Sequence, residues 1–402
     1  MRKYLEKIFS LYFNEAEYVE LKDKYTKYLS EKSAEEVSSL KHIKKGKQKF
    51  KNVDRSWIDF TVTFAKSKLS KKKFLEFLLY FGENTIAMGE LNAAQDVYLA
   101  LKQLTEKEAE LENIAAYSML ALGDIYSRQA LWQVSEDYIS EANKLFSKQK
   151  DFKGSARCEN LLGTIYGDKG NISRAKNHFE KSLSFLNSKK DTRLIGMLEM
   201  NLGILCNIQN NYDQAYSYFQ RAIVKFEKLN DLRRIAELKH NLGMMFSHKS
   251  DYQSALKEFD SAILICVNNG LKPTLALSYL SKAFVYIQLK DYSMARAFAD
   301  NSLELCYKIN DRLSIADNYK IKGIIERHLK NFTDAEDYLL TSLRLNKELD
   351  NIMNIAESSY ELSLLYNEIG KTTEAKIFKK TALDNFRAMD AVDMIKKAEE
   401  DL

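Results

Sequence analysis

Asn201-Leu202-Gly203-Ile204-Leu205, followed by Asn211-Tyr212-Asp213-Gln214-Ala215, is the stretch that decides the fold. Forty residues later the same phrase returns as Asn241-Leu242-Gly243 and Asp251-Tyr252-Gln253-Ser254-Ala255. Forty residues earlier it reads Leu161-Leu162-Gly163 and Asn171-Ile172-Ser173-Arg174-Ala175. A phrase recurring at fixed spacing is the mark of a repeat array, because each unit is one supersecondary element that buries its apolar face only against its neighbours.

Indexed on the glycine, the repeat extends in both directions. The anchors are Gly82, Gly123, Gly163, Gly203, Gly243, Ala283, Gly323 and Ser363, 41 residues apart at the first step and 40 thereafter. Twelve residues on stand Ala94, Ser135, Ala175, Ala215, Ala255, Ala295, Ala335 and Ala375. Three after the anchor an aromatic recurs (Tyr126, Tyr166, Phe246, Tyr286, Tyr366), and sixteen after it come Tyr98, Ile139, Phe179, Phe219, Phe259 and Leu339. Seven before it the residue is small: Ala116, Ala156, Gly196, Ala236, Ala276, Ala316, Ala356. Small residues at the anchor and at +12 let two antiparallel helices approach closely, and the aromatics fill the space beside them. Turns are expected at +7 and +8, where Gly89, Gly170, Gly370, Asn171 and Asn211 lie. Asp151, Asp191, Asp231, Asp311 and Asn351 recur between repeats and suit helix N-caps, while Pro273 suits a first helical turn.

Composition agrees. The chain has 402 residues, one proline and 14 glycines, which favours helix throughout. Mean hydropathy of -0.39 and 29% charged residues predict a soluble protein. No apolar run nears the ~18 residues that span a bilayer, and Met1-Arg2-Lys3-Tyr4-Leu5-Glu6-Lys7 carries charge where a signal peptide is apolar, so cytoplasmic residence is expected. Cys158, Cys206, Cys266 and Cys306 form no CxxC and read as reduced core residues. Charge is uneven: Lys41 to Lys73 holds twelve Lys/Arg and two Asp, a net +10 that leaves -5 for the rest.

Residues 1–69 precede the repeats. An apolar stripe from Tyr4 to Phe13, continued by Tyr18, Leu21, Tyr25 and Leu29, predicts helix. Ser33-Ala34-Glu35-Glu36 has capping-box spacing and predicts a second helix starting there and ending near Gly46. Further helices are expected over Trp57 to Phe64 and Phe74 to Phe81. A basic patch follows from Lys44, Lys45, Lys47, Lys49, Lys51, Lys71, Lys72 and Lys73.

The quoted anchors, with Tyr at +3, Ala at +12 and Phe at +16, resemble the tetratricopeptide repeat, and the 40-residue length is similar to kinesin light chains, spindle-polarity adaptors and bacterial regulators. The resemblance covers about residues 70–390 and implies an all-α, right-handed α-solenoid of helix-turn-helix units, with residues 391–402 as a C-terminal capping helix. It also implies that the first helix of each repeat lines a concave groove at positions -6, -3, +1, +4 and +5. The groove residues so implied are Arg157, Asn160, Met200, Ile204, Asn207, His240, Met244, His248, Leu280, Phe284, Ile287, Lys320 and Arg327. The middle of this groove is apolar and its ends are polar, which suits an extended peptide or an amphipathic helix. The lysine and asparagine clamp of chaperone-tail-binding arrays is absent, since position -3 reads Leu120, Asn160, Met200, His240, Leu280 and Lys320.

No catalytic or metal motif is present: there is no HExxH, GxxxxGK[ST] or GxSxG, and no GxGxxG after a strand. His240 and His248 are eight residues apart, but no carboxylate or cysteine completes a metal set. The leading expectation is therefore a non-enzymatic adaptor without cofactor that binds another protein, with homo-oligomerisation left open. The layout of an N-terminal helical region before the array also resembles Rap-type peptide receptors and phosphatases, although none of that family's catalytic residues is matched. Nucleic-acid binding through the basic segment is the least favoured class, because no recognised binding module surrounds it.

Overall fold

The computed structural model describes residues 9–39, 56–105, 108–389 and 391–401, and among them every regular element is helical. The chain separates into two compact units, Met1–Ser118 and Met119–Leu402.

The N-terminal unit contains α1 (Glu15–Ser39), α2 (Ser56–Lys68), α3 (Lys71–Ala87) and α4 (Leu91–Thr105), and α5 (Glu112–Arg128) begins in it. Its core is aromatic: Phe13 lies 5.5 Å from Phe64 and 5.9 Å from Phe77, and Phe77 stacks on Phe81 at 5.3 Å. One expectation is corrected here. No helix starts at Ser33, because α1 runs unbroken from Glu15 through Ser33 to Ser39. The capping-box letters Ser33-Ala34-Glu35-Glu36 sit inside a run of helix formers, where nothing stops the preceding turn. The basic run 40–55, including Lys44, Lys45, Lys47, Lys49 and Lys51, lies outside the described residues.

The second unit is the α-solenoid. After α5 come α6 (Trp132–Gln149), α7 (Phe152–Asp168), α8 (Ile172–Ser184), α9 (Thr192–Ile208) and α10 (Tyr212–Lys228). They are followed by α11 (Leu232–His248), α12 (Tyr252–Asn269), α13 (Lys272–Gln288), α14 (Tyr292–Ile309) and α15 (Arg312–His328). The array ends with α16 (Phe332–Glu348), α17 (Ile352–Glu368), α18 (Thr372–Ala388) and a short α19 (Val392–Glu400).

The anchor explains the pairing within each repeat. A Cβ built on Gly203 would stand 2.6 Å from the ring of Phe219, and one on Gly243 equally close to Phe259. Gly163 faces Phe179, Gly323 faces Leu339 and Gly123 faces Ile139 in the same way. The glycine is needed because the +16 side chain lies flat on its bare Cα. The sixth repeat makes the same point from the opposite side: its anchor is Ala283, and its +16 residue is Ala299, both fully buried in one cluster. The aromatic at +3 packs on the residue at +15: Tyr126 on Tyr138 at 5.4 Å, Tyr286 on Phe298 at 5.5 Å and Tyr366 on Phe378 at 5.4 Å. Ser135 and Ser363 depart from the repeat consensus without a buried penalty, since their hydroxyls donate to the carbonyls of Gly123 and Ala375.

Capping follows the expected residue types with one exception. Asp151, Asp231, Asp311 and Asn351 accept from the backbone N–H three residues on. Asp191 does not; its carboxylate accepts from the N–H of Asn187 and closes the preceding loop instead. Cys158, Cys266 and Cys306 are fully buried, and Cys266 and Cys306 pack on the small residues Ala236 and Ala276.

The paired alanines generate a test. Ala299→Phe should clash with Ala283 and lower stability by about 1–3 kcal/mol. Ala283→Gly in the same chain should recover most of that loss, as measured by urea unfolding. Equal loss in the single and double variants would refute the anchor rule.

Candidate functional site

Within the second unit, the first helices of successive repeats (α7, α9, α11, α13, α15, α17) touch one another along one wall. The second helices lean on the first helices before and after them. The side on which helices crowd most closely is the inner side of a curved array, so the first helices form the concave face.

An apolar strip lies on α13. Leu277 is 39% exposed and Phe284, two turns along the same side, is 38% exposed, with Leu280 half-buried between them. Ile208 on α9 is 47% exposed, while Ile204 and Met244 are partly buried beside the core. Two residues expected in the groove are packing residues instead. Met200 is 6% exposed within the cluster of Phe219, Phe226, Leu238 and Leu242, and Ile287 is 6% exposed beside Ile321 and Ile325. Positions -3 and +4 turn into the seam between neighbouring repeats, where a large apolar side chain is covered.

Polar groups bridge the same seam. Asn201 donates its amide to Asn160 Oδ1 at 2.9 Å. His248 Nδ1 lies 3.3 Å from Asn207 Oδ1, and His240 Nδ1 lies 3.3 Å from the Ser278 hydroxyl. Lys320 bonds to Glu357 and, at 3.0 Å, to Asn354 Oδ1. Arg327, nearly buried, reaches Glu361 at 3.1 Å and Glu368 at 2.5 Å. Arg157 is half-buried on α7. The groove residues named from sequence are thus spread along the wall from α7 to α15, most of them tied to the adjacent repeat.

Charge on the concave wall is crowded. Burial raises the Glu237 carboxyl, but the Arg234 and Arg233 guanidinium groups outweigh it and hold it at about 2, through bonds of 2.6 and 3.1 Å. Crowding by surrounding protein pushes the Asp168 carboxyl up to about 7, with Arg128 pulling the other way. Burial also raises Asp317 and Glu361 above the usual carboxylate range, against Lys320 and Arg327 respectively. Glu357, Glu361 and Glu368 were not reached by sequence reasoning, which carried the groove only to the seventh repeat. Leu277 was missed although -6 was a groove position. Lys71, Lys72 and Lys73 form the exposed first turn of α3 in the N-terminal unit, with Lys71 paired to Glu108.

A tetratricopeptide-repeat family model matches residues 157–185, most of α7 and all of α8. No curated protein matches the chain. Among solved structures, the chain is similar to a Rap protein complexed with competence and sporulation factor (TM-score 0.63, 14% identity, covering 84% of this chain and 93% of that one). It is similar to the Rap conjugation gene regulator of plasmid pLS20 in complex with the Phr* peptide (TM-score 0.58, 16% identity, 79% and 96% covered). A chain of the APC/C hetero-tetramer Cut9–Hcn1 is matched at TM-score 0.58 and 17% identity, over 87% of this chain and 60% of that one. The likeness is one of fold: the array is of the tetratricopeptide type.

His240 generates a pH prediction. Burial lowers its imidazole to about 4, with Glu237 opposing. The ordinary value in the unfolded chain is about 6.5. As pH falls from there towards 4, the unfolded chain takes up the proton first, so stability is lost in that window. His240→Gln should flatten the dependence of the urea midpoint between pH 6.5 and 4.5. An unchanged slope would show that this imidazole is not buried as described.

Proposed function

We propose that the chain is a non-enzymatic interaction protein whose concave face holds a peptide or an amphipathic helix of another protein. The observation that carries this reading is the pair Leu277 and Phe284, both exposed on the inner wall at the middle of the array, with Leu280 half-buried between them. Large apolar side chains left exposed in a recess and rimmed by polar groups mark binding sites more often than chance surface. The rim here is Asp317 and Lys320 on α15 and His240 and His248 on α11, so a bound segment meets apolar contact at its centre and hydrogen-bonding groups at its edges. Peptide-bound complexes among the structures of similar fold support the same reading.

A second reading is a peptide-responsive regulator in which the N-terminal unit carries the output. It is favoured by the extent of the fold likeness, 84% of the chain against a Rap protein. Under it, ligand on the concave face changes the compactness of the full chain, which small-angle scattering with and without ligand measures. The basic segment adds a separate alternative, nucleic-acid binding, which requires steep loss of binding with salt.

The test of the first reading is a selection of displayed peptides on the full chain, repeated on Leu277→Asp/Phe284→Asp. Each apolar side chain buried on binding is worth about 1.5–3 kcal/mol. The double variant should keep its helical circular dichroism and bind the selected peptides at least ~100-fold more weakly. Undiminished affinity would place the binding surface elsewhere.

A further inference from the structure

Successive repeats join where the residue five before an anchor meets the second helix of the preceding repeat, and the chemistry of that joint changes partway along the array. Between the fourth and fifth repeats, Leu238 is fully buried with Ala222 and Phe226. Cys158 and Leu198, at the same position in the third and fourth repeats, are fully buried and apolar too. In the last three repeats the position holds Ser278, Asn318 and Ser358, each fully buried. Asn318 donates its amide to Ser302 Oγ at 3.1 Å and to the Ser314 carbonyl at 2.8 Å, while its Oδ1 accepts no hydrogen bond among the described residues. One repeat further on, the Ser342 and Ser358 hydroxyls lie 3.0 Å apart. Buried Asn346 donates to Ser342 Oγ at 3.3 Å, and its Oδ1 is likewise without a partner among the described residues.

The residue just before the anchor changes at the same place. It is Leu162, Leu202 and Leu242 in the third to fifth repeats, but Lys282 and Lys322 in the sixth and seventh. The Lys282 side chain, 8% exposed, bonds to Asp260 on α12 at 2.6 Å, and that of Lys322, 13% exposed, bonds to Asp300 on α14. Both carboxylates lie largely in water. Leu362 in the eighth repeat is apolar and fully buried again. Inside the sixth repeat the anchor contact has also shrunk, to Ala283 and Ala299.

We infer that the array is divided in stability at the joint between its fifth and sixth repeats: α13 to α18 open as a unit, at a lower free energy than α7 to α12. In a repeat array each unit leans only on its neighbours, so stability is close to a sum of repeat and joint contributions, and a run of weaker joints opens before the rest. A buried ammonium gives up its hydration, and apolar residues of similar volume in place of such an ion pair are commonly as stable or more so. A buried carbonyl oxygen without a donor has lost its water and gained nothing in return. The joint before the sixth repeat carries Lys282, the next carries Lys322 and Asn318, and the last carries Asn346, so every joint in this half holds one or both features. Leu277 and Phe284 stand on α13, the first helix of the labile half. The division belongs to the free chain and does not depend on the proposed binding role.

Native-state hydrogen exchange of the full, ligand-free chain in low urea tests this. After correction for intrinsic rates, the slowest amides of α13 to α17 should exchange roughly tenfold or more faster than those of α9 to α11, and should share one urea dependence. Two repairs copy the apolar joint of the fifth repeat. Asn318→Leu with Ser302→Ala reproduces Leu238 on Ala222, and Lys282→Leu with Asp260→Gln reproduces the pairing of Leu242 with Gln220. Either repair should slow exchange in α13 to α17 roughly tenfold and leave α9 to α11 unchanged. Equal protection of the two halves in the unsubstituted chain, or repairs that fold and leave exchange in α13 to α17 as it was, would overturn the division. Should both repairs fail to fold, the comparison of the two halves in the unsubstituted chain decides alone. Since no ligand is used, the result stands apart from the Leu277/Phe284 selection, which judges the binding surface.

Discussion

The array depends on one contact made at six of its eight anchors: the bare Cα of a glycine under a large side chain sixteen residues later. Where the anchor is glycine, an aromatic or branched ring or chain lies on it, as Phe219 lies on Gly203 and Leu339 on Gly323. Where it is Ala283, the partner has shrunk to Ala299. The sum of the two volumes is what is held, because interiors are packed too densely for either side to grow alone. Helix separation, the stacking of +3 on +15 and the lateral contact of first helices all follow from that spacing.

Close approach of the first helices has an electrical consequence. Their polar side chains are brought into a recess where water is scarce, so each charge needs a partner there. Glu237 finds Arg233 and Arg234, Arg327 finds Glu361 and Glu368, and Lys320 finds Glu357. Most of these links join one repeat to the next or one turn of a helix to the following, and they fix the angle between units. On α13, Leu277 and Phe284 stay exposed instead, which is why they carry the proposed binding role.

The fold was legible because eight copies speak together: the spacing of Gly203, Tyr212 and Ala215 is repeated often enough to override any local ambiguity. Caps were legible by residue type, except at Asp191, whose carboxylate turned back to its own loop. The start at Ser33 misled because a capping motif is only four letters long and is equally stable inside a helix. The groove was legible only in outline. A positional rule places Met200 and Ile287 on the inner side, but a large apolar residue at -3 or +4 is drawn into the neighbouring repeat, whereas Asn160, His240 and Lys320 at -3 remain at the seam and bond across it. The approach of Met389 to Gly170, where a Cβ would stand 3.5 Å from its Sδ, had no signal in the sequence, since the two residues are more than 200 apart in the chain.

The central claim is that ligands engage the first helices rather than the outer ones. Hydrogen–deuterium exchange of the full chain with a selected peptide tests it most directly. Protection is predicted along α11, α13 and α15, strongest around Leu277 to Phe284. Protection confined to α10, α12 and α14 would contradict it.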